Sequence, residues 1–596
     1  QKAKLQQEEE ERRLREEEEQ TNDILNTKLM KHSDNNLQCS LCVQWERYMR
    51  CDGAPDPAVQ QDINTYISLW RDDPEVNVTL VDEVEGLFKD ATDPQENQQY
   101  KEALINLQEL IHFKHHLTTE DILKRASSNI DTETGNMQTV IRDDQVTVCL
   151  WANIKKNPRF KGLNFEEVGF GFEIPKQLAV SDVAVRILHT HYDHLSMLAR
   201  MTHLRIQTAS RRVEEEVQSI QGLEGRKVRM NVPAEGDLIG SSVQLPLMNQ
   251  AVHVVDLIQF TPLGGVFYYD VFHLPPQALQ VNGWEIRQFL NAGLQTFHYP
   301  TEKFDFGSSD ALICPPIGAS VILPDFVVFL ETPQVARWDA AGRKQWRMDG
   351  ITDVSYDEAE AKISFKMDSF QAFVLMQKTY ANLPFQSWEL RPLGQDAAIF
   401  MVNGALIDLS ITIQDNQCLL QSERDRGLSH IVGKWMNVSA LQKAMINAGV
   451  NIFVNQYTDN YVSTCGKDPL TEHAAYEQMA LFASACAFSR SKWNSKCGAE
   501  HLVMQACEHL DSAPVPEDSW SLYLLGAQRS QKLEITEESE DFSSDHHPSS
   551  EFHSTFIHML QDSMSPGGVA RTRESHHLFV DTVQSLLCAT RPLMYS

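Results

Sequence analysis

Ala361-Lys362-Ile363-Ser364-Phe365-Lys366-Met367-Asp368 alternates apolar and polar side chains without a break. A strand turns successive side chains to opposite faces, so a period of two gives one apolar and one polar face. The stretch therefore predicts a half-buried antiparallel strand. Downstream the pattern recurs in Ala372, Val374 and Met376, then Gln386, Trp388 and Leu390, then Ala397 to Val402 and Leu406 to Ile413. Short strands broken by Asp, Gly and Pro fit an antiparallel sandwich better than βαβ units.

Working upstream, Val252 to Phe260 and Val266 to Phe272 read as a hairpin that turns at Pro262 and Gly264–Gly265. Val146, Val148 and Leu150 alternate with polar residues, and Phe165 to Phe172 reads as a further strand. Ser181 to about Ile206 predicts an amphipathic helix, because Val185, Leu188, Tyr192 and Leu195 fall at i, i+3, i+7 and i+10. Leu428 to Ala448, Thr471 to His509 and His576 to Leu587 also read as helices. The expected architecture is α+β multidomain: a helical N-terminal region, antiparallel β-sandwich-like domains and a helical C-terminal region. Its segments are a charged helical arm (1–23), a helical region (24–140), a mixed β-domain with a helix (141–224) and a linker (225–250). A sandwich-like domain (251–425), a helical domain (426–510), an acidic Ser-rich linker (511–570) and a docking helix (571–596) follow. No Gly-His…Trp-Asp period appears, so a WD-repeat propeller is not expected.

The 596 residues are enough for several domains. Lys and Arg number 52 against 82 Asp and Glu, a net charge of −30. This balance argues against non-specific nucleic-acid binding and against a polybasic membrane surface. No apolar run is long enough to span a bilayer, so no membrane insertion is expected. The chain opens at Gln1 inside a charged segment, so its start is expected to lie upstream. Eleven cysteines, thinly spread, read as reduced intracellular thiols. Residues 1 to 20 are almost entirely Gln, Glu, Arg and Lys, which suits a solvated arm or a docking arm.

The loudest local signal is His189-Thr190-His191-Tyr192-Asp193-His194. It resembles the H-x-H-x-D-H motif of the metallo-β-lactamase family, which implies a dinuclear hydrolytic site. On the helix expected here, His189 and Asp193 share one face and His191 and His194 another. They would not converge on metal, and the reading is a polar helical face. Cys39, Cys42 and Cys51 read as packing residues on helical turns. No P-loop, G-x-S-x-G elbow or H-E-x-x-H is present. No catalytic residue, metal ligand or cofactor is therefore assigned. Trp284, Trp338 and Trp346 stand near turn residues, as interface anchors or as core or turn packing.

Several longer segments carry a resemblance of their own. They are Trp45 to Gly53, Ile63 to Trp70, Asp256 to Gly265, Leu274-Pro275-Pro276-Gln277 with Asn282-Gly283-Trp284, Trp338-Asp339, and Trp346. Together they resemble the cancer-susceptibility-candidate family, also described as an intermediate chain of inner-arm axonemal dynein. The resemblance implies a non-catalytic ciliary protein of the axoneme and cytoplasm. Its implied partners are inner-arm dynein heavy and intermediate chains and the tubulin of doublet microtubules. An acidic body repels acidic tubulin, so contact would need a local basic element. Candidates are Arg12, Arg13 and Arg15, then Lys155, Lys156, Arg159 and Lys161, then Arg211 and Arg212. The alternatives are a general cytoplasmic adaptor that binds through its sandwich domains, and a metal-dependent hydrolase built on His189 to His194.

Overall fold

The computed structural model describes residues 94–143, 145–200, 254–277, 279–282, 284–286, 288, 293–299, 315–340, 344–422, 427–543 and 552–596, with Val84 and Leu87. These fall into two compact units. The smaller contains the helix Pro94–Lys124 and a two-stranded hairpin, Leu279–Val281 with Trp284–Ile286. Ala103, Leu104, Leu107, Leu110 and Ile111 are buried on that helix, at the spacing of one helical face. Glu96 in its first turn and Lys124 in its last both suit the helix dipole.

In the larger unit two antiparallel sheets stack as a sandwich. The first orders its strands Met137–Arg142, Val146–Ala152, Val183–Thr190, Phe260–His273, Ala372–Lys378, Gln334–Asp339 and Gln345–Arg347. The second orders Ile351–Asp357, Lys362–Met367, Ile317–Ile322, Phe170–Glu173 and Gly162–Phe165. Trp151, Ile187, Phe267 and Phe373 of the first sheet share one core with Phe172, Val321, Ile363 and Phe365 of the second. Ile363, Phe365 and Met367 are buried there while Lys366 is exposed, as their alternation demands. Each of those apolar side chains contributes about 1.5–3 kcal/mol by leaving water.

A third sheet has ten antiparallel strands. Their order is Trp435–Met436, Gln417–Gln421, Asp408–Gln414, Ala397–Asn403, Ser387–Gly394, Cys486–Arg490, His501–Glu508, Ser521–Gly526, Arg529–Lys532 and Phe552–His553. The helices Val438–Asn447, Pro469–Phe482, Phe556–Ser563 and His577–Thr590 share a core with it, including Leu390, Phe400, Ile411, Phe488 and Tyr523. The class is mixed α+β, with helices at the front and the back of the chain. Among the described residues no helix is long and apolar enough to cross a membrane.

Six expectations are corrected. The helix expected over Leu428 to Ala448 forms only at Val438–Asn447, because Trp435–Met436 pairs with Gln417–Gln421 as an edge strand. The single strand expected over Phe165 to Phe172 is instead two, Gly162–Phe165 and Phe170–Glu173, paired antiparallel. Val183–Thr190 is a strand, not part of a helix, and all eight of its residues are buried. It lies between the sandwich core, which takes Val185 and Ile187, and a second cluster, which takes Leu188. With both faces covered, the alternation that marks a strand is lost. Gly264–Gly265 does not turn a hairpin: Phe260–His273 runs through it as one strand of 14 residues. Gly265 has φ +82°, and a Cβ there would stand 1.9 Å from the Thr190 carbonyl oxygen. The glycine pair thus allows close strand approach beside an irregularity in the register with Ala372–Lys378.

The helix expected over Thr471 to His509 starts at Pro469, with Asp468 accepting from the Thr471 N–H at 2.8 Å, and ends at Phe482. Cys486–Arg490 and His501–Glu508 then enter the third sheet as largely buried central strands. Finally, residues 511–570 are not solely a linker. Ser521–Gly526 and Arg529–Lys532 extend the sheet, and Phe556–Ser563 and Pro566–Glu574 are helices. Leu522-Tyr523-Leu524-Leu525 is buried, an apolar run inside a Ser- and Glu-rich stretch.

Candidate functional site

Ile154-Lys155-Lys156-Asn157-Pro158-Arg159-Phe160-Lys161 holds four cations and no carboxylate. It links the strand Val146–Ala152 of the first sandwich sheet to Gly162–Phe165 of the second. Asn153, just before it, is buried, and its side-chain amide donates to the carbonyls of Ala179 and Ser181 at 2.9 and 2.8 Å. Its oxygen accepts from the Lys156 N–H at 3.2 Å, while Asn136 accepts from the Lys155 N–H at 2.9 Å. Lys156 sits in the left-handed region at φ 50°. Phe160 turns inward and stacks on buried Trp151, with ring centroids 4.6 Å apart and planes 5° from parallel. The Lys161 carbonyl accepts from the Ile174 N–H at 2.8 Å and closes the loop against the second sheet.

Lys155, Lys156, Arg159 and Lys161 are all exposed. Lys156 pairs with Asp182 at 2.7 Å, with side chains 42% and 67% exposed, a geometry that contributes little in water. The structure thus brings these four predicted residues together on one held loop. Arg12, Arg13, Arg15, Arg211 and Arg212 lie outside the described residues, as do Cys39, Cys42 and Cys51. Sequence reasoning found the cations but missed their scaffold of Asn136, Asn153, Phe160 and Asp182. The signal was available in Trp151 and Asn153, which stand directly before the lysine pair.

The His189 to His194 segment begins within the buried strand Val183–Thr190 and continues past its end, so its side chains diverge for a reason other than helical geometry. His189 points into the sandwich, where its Nε2–H donates to the Gly264 carbonyl at 2.6 Å and its ring lies flat on Phe267 at 4.1 Å. Burial lowers its pKa to about 3, against a smaller upward pull from the Gly264 hydrogen bond. His194 instead meets the Tyr268 hydroxyl at 2.9 Å, and Tyr268 belongs to the cluster on the sheet's other face. Asp193 accepts from the backbone N–H groups of Leu195 and Ser196 at 3.1 and 3.0 Å. Each of these side chains is engaged in folding contacts, and among the described residues no group of three or more His, Cys, Asp or Glu could hold a metal ion.

The three turn tryptophans separate. Trp346 is 1% exposed and donates to Ser196 Oγ at 2.7 Å; Trp338 packs edge-on against it at 4.9 Å. Trp284, beside Asn282 in the small hairpin, is 76% exposed. A cavity of about 430 Å³ lies elsewhere in the larger unit, with Val255, Leu257, Trp346, Ile446, Phe453 and Tyr457 in its wall. Several of its polar groups already serve one another: Thr261 and Thr379 hydroxyls at 2.7 Å, Tyr380 to Asn455 at 2.9 Å, and Asn451 to the Thr379 carbonyl at 2.8 Å. Such a wall suits an apolar group more than a polar one.

Residues 1–159 match the family described as Cancer susceptibility candidate 1 N-terminus, and residues 343–517 match Cancer susceptibility candidate 1 C-terminal. The chain belongs to the cancer susceptibility candidate 1 family. A relative from Danio rerio, named Dynein axonemal intermediate chain 7, is 50% identical over 94% of this chain and 87% of its own length. The Homo sapiens protein of that name is 37% identical over 94% of this chain and 88% of its own. A Ciona intestinalis homologue of the same name is 33% identical over 86% and 82%. The first family match ends inside the basic loop, at Arg159, so the family region includes Lys155 and Lys156.

Proposed function

We propose that this chain is a non-catalytic structural or regulatory subunit of axonemal dynein. In this reading it associates with the inner arm and helps anchor or regulate the complex on doublet microtubules. The observation that carries the reading is similarity to proteins named Dynein axonemal intermediate chain 7 across nearly the whole chain, in both fish and human. The expected partners are inner-arm heavy and intermediate chains and tubulin. The expected location is the ciliary axoneme, with a cytoplasmic pool. The loop of Lys155, Lys156, Arg159 and Lys161 is the candidate microtubule contact. Its exposed charge supports that reading in a chain of net charge −30.

Affinity purification of the tagged chain from ciliated cells tests the assembly. Inner-arm dynein heavy chains should co-purify in amounts comparable to the tagged chain. Recovery of outer-arm chains alone, or of no dynein chain, would refute the proposal.

A further inference from the structure

We infer that the 154–161 loop is a preorganised receptor for a flexible acidic peptide segment of a partner. The inference extends the microtubule-docking reading, but it rests on charge and geometry at the loop. The backbone is already fixed by Asn153, Asn136 and the Phe160–Trp151 stack, so little ordering remains to be done on binding. Gly135 supports the arrangement: a Cβ there would stand 2.7 Å from Lys155 Cδ, so the lysine stem lies close against it. Among the described residues Lys155, Arg159 and Lys161 make no ion pair, and the exposed Lys156–Asp182 pair is readily exchanged.

The rest of the chain selects which anion can reach these cations. A nucleic-acid duplex or an anionic bilayer extends well beyond the Debye length of about 10 Å and would also face a body of net charge −30. Phe160 is committed to Trp151, so the loop offers no free ring on which a base could stack. A short, flexible run of carboxylates touches the loop alone. Glutamate and aspartate side chains need only point charges opposite them, which three lysines and one arginine supply.

The test is fluorescence anisotropy of a labelled oligoglutamate peptide titrated with the full chain, in low salt and in physiological salt. Lys155→Glu with Lys161→Glu should weaken binding about tenfold and flatten its salt dependence. Lys434→Glu with Lys443→Glu makes the same change in net charge at other exposed positions and should weaken it far less. Matched thermal melting of both variants shows that each remains folded. Equal losses in the two variants, or unchanged binding by the loop variant, overturn the inference. So does tighter loop-dependent binding to phosphatidylserine vesicles or oligothymidylate than to the peptide. Dynein co-purification by the loop variant is scored separately, so a failed assembly reading and a failed loop reading give different results.

Discussion

His189→Gln removes a titrating group from the sandwich core and should change how acid acts on this protein. The imidazole is 2% exposed, stacked on Phe267 and bonded to the Gly264 carbonyl, so the folded chain keeps it neutral. Its folded pKa, about 3, lies below the ordinary 6.5. As pH falls the unfolded chain binds the proton first, so the stability from neutral His189 is complete above 6.5 and is lost progressively toward 3. One pH unit is worth about 1.4 kcal/mol, so at about pH 5 the loss is about 2 kcal/mol relative to neutral pH. Hydrogen exchange read on the peptide covering Val183–Thr190 reports that opening free energy without assuming that the whole chain unfolds together. The wild type should lose about 2 kcal/mol more than His189→Gln between about pH 7.5 and pH 5. Equal pH slopes in the two proteins would refute the assignment of a neutral, desolvated histidine.

Two further perturbations probe the packing. Arg591→Met removes the cation paired at 2.5 Å with the carboxylate of Glu472, whose side chain is 2% exposed and which keeps the Tyr476 hydroxyl as a donor at 2.8 Å. The expected cost is about 3–5 kcal/mol by thermal or denaturant unfolding, partly recovered by adding Glu472→Gln; a loss below about 1 kcal/mol contradicts the buried pair. Gly265→Ala places a methyl 1.9 Å from the Thr190 oxygen at φ +82° and should cost more than about 3 kcal/mol or abolish soluble expression. Gly394→Ala, which meets nothing within 4 Å, should stay within about 1 kcal/mol, and similar losses at both glycines would remove the close-approach argument.

Much of the candidate site was legible. Lys155, Lys156, Arg159 and Lys161 form a dense basic run in an acidic chain, and charge density is a local property of sequence. Their fixed display was not, because Asn153 reaches carbonyls 26 and 28 positions away. The same limit separates the tryptophans. Trp284 follows Asn282–Gly283 and is exposed, while Trp346 stands beside turn residues just as plainly and is buried through Ser196, 150 positions earlier. Neither fate is encoded within a few residues of the ring.

Sequence alone determined the strands with one wet face, such as Lys362–Met367, whose alternation records that asymmetry directly. It also determined the terminal helix His577–Thr590, where Phe579, Val583, Leu586 and Leu587 line one face. Tertiary structure decided the central strands Val183–Thr190, Cys486–Arg490 and His501–Glu508, which are covered on both faces or nearly so. Burial on both sides erases the period that separates strand from helix, and only the hydrogen-bonding neighbours settle the choice. It also decided the fate of His189 to His194: strand pairing sends His189 into one core, and the Tyr268 hydroxyl ties His194 to the other, so histidines of one short segment serve different clusters.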